Sequence, residues 1–166
     1  MDIDQFVMKL NAVDWRNFAG SMYEPERVAD SLTSLALADQ ESKEGVYQIE
    51  GVEADLLLNA KIASDVMFAI GNDHSGTYYP AVCEALPFII QVAIFGNHLV
   101  ARNCAINILI DLYYFCPEDE SADLEELVKD AIRAAIIENR KNFTEFAINS
   151  ESNRSLIDGL LEIVDD

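Results

Sequence analysis

At 166 residues, with about half of them apolar and a formal charge of −19 from 30 acids against 11 bases, the chain has the length of one domain and enough apolar content to bury a core. That composition excludes a disordered acidic tail. A field of this sign repels phosphate backbones and anionic lipid surfaces, which disfavours nucleic acid and membrane surfaces as partners and favours cationic ones.

The charge is uneven along the chain. Residues 1–60 hold 12 acids and 4 bases, residues 61–117 only 4 and 2, and residues 118–130 hold 7 acids against Lys129. A near-neutral core is flanked by segments that carry the field. The N-terminus, MDIDQFVMKL, lacks the basic start and long apolar run of a signal peptide. The longest apolar block, 85–95, is interrupted by Gln91 and falls far short of the roughly 20 residues a membrane span needs. Cys83, Cys104 and Cys116 lie in apolar helical contexts with no CxxC spacing, which fits reduced thiols and a cytoplasmic location.

In chain order, Ile3, Phe6, Val7 and Leu10 have the spacing of a short amphipathic helix. Trp15, Phe18 and Tyr23 anchor a connector behind it. Pro25 at a first helical position, with Glu24 and Glu26 beside it, opens a helix to about residue 38 that turns Val28, Leu32, Leu35 and Ala36 inward. Residues 39–52 contain Val46, Tyr47 and Ile49 between Gly45 and Gly51 and are read as helix or short strand, with helix preferred. The spacing predicts a helix over 53–70 with Leu56, Ala60, Ile62, Ala63, Val66, Met67 and Ala69 inward, stopped by Gly71 and Asn72, and a loop over 72–77.

Residues 79–117 form the centre of the chain and read as two helices joined at Gly96 and Asn97. Pro80 suits a first turn, whereas Pro87 falls inside the apolar run and removes one helical hydrogen bond. The second helix, 98–115, is apolar on nearly every side except for a stripe of Asn103, Asn107 and Asp111, so it needs neighbours on both flanks. Pro117 ends it. Ser121 then caps a helix over 122–143, with Leu124, Leu127, Val128, Ala131, Ile132 and Ala135 on one face and acids gathered at its start. A short helix within 142–153 and a capping helix over 155–164 complete a chain read as all-α, in which no strand alternation or hairpin turn is evident.

A long helix with an internal proline, a tight turn and a second helix covered on two sides resembles a HEAT-type repeat. The run His74-Ser75-Gly76-Thr77-Tyr78-Tyr79-Pro80-Ala81, followed by Ala85-Leu86-Pro87-Phe88-Ile89-Ile90, is similar to a group of small bacterial HEAT-like proteins, most without an assigned activity. The resemblance spans 15–115 loosely and 74–112 best. It implies a short right-handed α-α superhelix of seven or eight helices in two to three stacked hairpins, and a binding role without a named partner. The organisation expected is a single domain over 1–166, with a cap at 1–23, HEAT-like repeats at 24–117 and C-terminal helices at 118–166.

Candidate chemistry is sparse. His74 between Asp73 and Ser75 is the most enzyme-like site, but sequence neighbours do not face each other as a catalytic triad needs, and loop stabilisation is the simpler role. Asn97 as helix cap explains His98 without chemistry. Two histidines and three dispersed cysteines give no metal motif, and the acidic run 118–126 lacks the calcium-loop pattern. The Asn103, Asn107 and Asp111 stripe is either an inter-helix hydrogen-bond ladder or, with Arg102 nearby, part of a partner-binding face. Tyr78 and Tyr113 are the aromatics expected to be partly exposed.

The expected function is therefore a non-enzymatic protein-protein interaction module that binds a basic protein, without cofactor, metal, nucleic acid or membrane. One concrete form is an immunity protein covering a basic nuclease toxin. Its candidate partner-binding residues are Tyr78, Asn103, Asn107, Asp111, Glu118, Asp119, Glu120 and Asp123. The alternative is a small hydrolase or metal-dependent enzyme using Asp73 and His74 with carboxylates such as Glu84 or Asp111. A self-associating structural protein is a third option.

Overall fold

The computed structural model of the chain describes residues 1–20, 23–39, 54–148 and 151–165. Among them are seven α-helices, one 3-10 turn (Trp15–Asn17) and a three-stranded sheet of two-residue strands. The helices are α1 (Ile3–Asn11), α2 (Pro25–Leu37), α3 (Ala54–Ile70), α4 (Val82–Phe95), α5 (Leu99–Tyr114), α6 (Ala122–Ile148) and α7 (Glu151–Asp165). The strands are β1 (Gly71–Asn72), β2 (Thr77–Tyr78) and β3 (Cys116–Pro117).

Apolar spacing places the helices, and side-chain caps start α1 and α6. Asp2 caps α1 by accepting from the Gln5 amide at 3.0 Å, which turns Phe6 and Leu10 into the core. Phe6 meets Phe88 of α4 edge-on, ring centres 5.4 Å apart. Trp15 anchors the connector as expected: its indole N–H donates to the Leu10 carbonyl at 3.2 Å, and its own carbonyl accepts from the Tyr23 hydroxyl at 2.8 Å. In α2, Val28, Leu32, Leu35 and Ala36 are the buried face. Pro87 lies inside α4, exposed, where its missing N–H removes the bond to the Cys83 carbonyl.

Helices next to each other in sequence pack in pairs, α2 with α3, α4 with α5, and α6 with α7. The pairs also touch in two rows, α2 with α4 and α4 with α6 on one side, α3 with α5 and α5 with α7 on the other. Helix α5 meets α2, α3, α4, α6 and α7, which is why it buries Val100, Ala101, Cys104, Ala105, Ile106, Ile108, Leu109 and Leu112. Arg102 fastens the α4–α5 turn: its Nε donates to the Ala93 carbonyl at 3.1 Å, and its guanidinium stacks 3.7 Å from the centre of the Phe146 ring.

Several expectations change. The chain does form strands: β1 and β2 pair antiparallel, and β3 joins β2 in parallel. The cause is a tight turn at Gly76, whose φ of 66° lies in the left-handed region, together with Gly71, where a Cβ would come within 2.3 Å of the Thr77 carbonyl oxygen. Asn97 does not cap α5; His98 holds the cap position without a side-chain bond, while Asn97 accepts from the Met1 ammonium at 2.7 Å. Helix α6 continues to Ile148 and absorbs the separate helix expected near 142, with Phe143 and Phe146 buried beneath it. Helix α7 begins at Glu151, and Asp165 at its end is fixed by both amino groups of Arg140 at 2.9 Å. Ala60 and Leu127, expected inside, are exposed. Residues 40–53, which hold nearly all of the ambiguous 39–52 stretch, lie outside the described residues.

The thiols differ sharply. Cys104 is buried, and burial pushes its pKa up to about 12; burial also raises Cys83, whereas Cys116 is exposed. A thiol reagent at pH 8 should modify Cys116 first and reach Cys104 only on unfolding, as mass mapping of labelled peptides would reveal. Labelling of Cys104 in the native state would contradict the placement of α5.

Candidate functional site

The small sheet gathers the ends of four helices. It follows α3, precedes α4, follows α5 and leads into α6, so the hairpin loop at 73–76 and the acidic loop at 118–121 lie at one end of the helix pairs. Backbone bonds hold that end: the Tyr79 amide donates to Ile70 at 2.8 Å, Cys116 to Gly76 at 3.2 Å, and Glu118 to Tyr78 at 2.9 Å.

Beside this sheet, α3, α5 and the hairpin enclose a recess of about 340 Å³ lined by Ala60, Ala63, Ser64, Met67, Asp73, Asn107 and Asp111. Its shape follows from sequence spacing. Ala60 and Ser64 are one turn apart on α3, Asn107 and Asp111 one turn apart on α5, and the small residues at 60, 63 and 64 leave room between the helices. The Ser64 hydroxyl donates to Oδ2 of Asp73 at 2.7 Å and fixes the loop carboxylate against α3. The Asp111 carboxyl is held above the ordinary carboxylate range, chiefly by burial and then by the charge of Asp73. Among the described residues no lysine or arginine pairs with either carboxylate.

This raised pKa has a signed consequence. The folded chain binds the Asp111 proton more readily than the unfolded chain does, so stability falls as pH rises from the ordinary 3.8 through the higher folded value. Asp111→Asn should therefore raise Tm at pH 7, with the gain vanishing below the ordinary value. Thermal melts of both proteins across that range would detect it, and an unchanged difference at low pH would contradict it.

The stripe on α5 divides. Asn107 and Asp111 face the recess, whereas Asn103 donates to Oδ1 of Asn153 on α7 at 3.1 Å, the inter-helix bond that was one of its two expected readings. The remaining amide atoms, Oδ1 of Asn103 and Nδ2 of Asn153, are buried without partners. Tyr78 is corrected outright: it is 0% exposed, because the pleat of β2 turns it into the core, and so it offers no surface to a partner. Tyr113 is half-buried, flanked by Lys129 and Arg133 of α6, with the Arg133 guanidinium donating to its hydroxyl. Among the described residues the exposed tyrosine is Tyr114.

Glu118, Asp119, Glu120 and Asp123 are exposed at the sheet end. Asp119 accepts from the Ser121 amide at 3.2 Å, and Ser121 accepts from Leu124 at 3.4 Å to cap α6 as the sequence indicates. His74 does not line the recess. It is exposed, packed edge-on against Phe68 with ring centres 4.9 Å apart, and Glu84 is exposed on α4. Among the described residues no group of three or more His, Cys, Asp or Glu side chains could hold a metal ion, and no helix is long and apolar enough to cross a membrane. Sequence reasoning missed Ser64; it named Asp73 and Asp111 together only in the enzyme alternative, and the recess holds those two without His74 or Glu84. The available signal was the pair of small and polar positions spaced by four on each helix.

No family model, no curated protein and no solved structure matches this chain.

Proposed function

We propose that the chain is a non-enzymatic binding module of HEAT-like helix pairs, which captures a basic protein at its acidic sheet end. The observation that carries this reading is the Asp73 and Asp111 recess. Two carboxylates, one of them desolvated, share a site in which no cation among the described residues answers them. A positive side chain from outside would relieve both the repulsion and the desolvation. The exposed acids at 118–123 would steer such a partner toward the recess.

The reading places the module in the cytoplasm, where its thiols stay reduced. One concrete form is an immunity protein, whose acidic end would cover the phosphate-binding cleft of a basic nuclease toxin. The alternative hydrolase reading needs an imidazole beside the carboxylates, and the position of His74 against Phe68 weighs against it. Affinity capture from the native organism at low and moderate salt tests the proposal. It expects one basic protein, lost as salt rises. Recovery of none at either salt, together with turnover abolished in His74→Ala, would overturn it.

A further inference from the structure

Resting on the reading above, we infer that the recess receives a single lysine side chain of the partner, in preference to an arginine. An ammonium is a compact charge whose three donors spread in three directions. The recess is lined by three side chains that can accept: Asp111 and Asn107 from α5, and Asp73 from the hairpin loop. Ala60, Ala63 and Met67 supply apolar surface for the methylene stem. One ammonium between Asp73 and Asp111 neutralises both charges at once.

A guanidinium is served less well. Its planar fork is strongest against both oxygens of a single carboxylate. Ser64 holds Oδ2 of Asp73, so that carboxylate cannot offer both oxygens freely. A fork laid on Asp111 alone would leave Asp73 unanswered.

The test is a heteronuclear NMR titration of the full chain with three probes: N-acetyl-lysine-N-methylamide, its arginine counterpart and its norleucine counterpart. The lysine probe should shift the Asn107 side-chain amide and the backbone amides of Ser64 and Asp73 in a saturable way. It should bind several-fold more tightly than the arginine probe, and the norleucine probe should shift nothing. Asp111→Asn should weaken the lysine probe by about tenfold, and Ser64→Ala should narrow the gap between lysine and arginine. Equal or tighter binding of arginine, or shifts that survive Asp111→Asn and Asp73→Asn, would overturn the inference. Failure here with capture intact leaves the partner reading standing. Lysine binding without any captured protein removes the partner and keeps the site.

Discussion

Leu109→Ala is expected to cost about 2–5 kcal/mol, the range for emptying a buried leucine site that cannot collapse. Leu109 is 0% exposed on α5, the helix that meets five others. A void there has packed helices around it, so little can move inward to fill it. In a chain of this length each kcal/mol is worth roughly 2–4 °C, so Tm should drop by roughly 4–20 °C. Thermal and denaturant unfolding followed by circular dichroism would measure this. A loss under about 1 kcal/mol, the average for an ordinary substitution, would mean that α5 is not the centre of the core.

The second large effect is on binding. Replacing Asp73 and Asp111 together by Asn should weaken capture of the basic partner by at least about thirtyfold, since leaving a buried charge of a complex without its counterpart costs 2 kcal/mol or more. The variant keeps the shape of the recess and removes its charge. Because Asp111 is raised chiefly by burial, losing that charge should not destabilise the chain, so reduced binding cannot be blamed on unfolding. The loss should appear mainly as faster dissociation, whereas charges on the rim act mainly on association. Surface plasmon resonance on the captured partner separates the two rates. Unchanged dissociation in the double variant would remove the recess from the interface.

The helices were legible from apolar spacing and prolines, even where an expected cap, Asn97 before α5, does not form. Val28, Leu32, Leu35 and Ala36 read as one face and are one face. The apolar girth of the 98–115 stretch foretold the many neighbours of α5. The strands were not legible, since two-residue pairings leave no alternation to detect. Tyr78 was misjudged for the same reason: its burial is set by the pairing of β2 between β1 and β3, a tertiary fact. Nor could spacing along the chain bring Asp73 to Asp111. That meeting depends on the turn at Gly76 and on how α3 lies against α5, although Asn107 and Asp111 were already marked as polar positions on an apolar helix.

Two acidic features compete for the role of binding surface, and one comparison separates them. Capture is measured side by side for the natural chain, for Asp73→Asn with Asp111→Asn, and for a loop variant carrying Asp119→Asn, Glu120→Gln and Asp123→Asn. A specific cation site predicts that the recess variant loses the basic partner at every salt concentration, while the loop variant retains it with a shallower salt dependence. Retention by the recess variant and loss by the loop variant would contradict it, and would assign binding to diffuse surface charge.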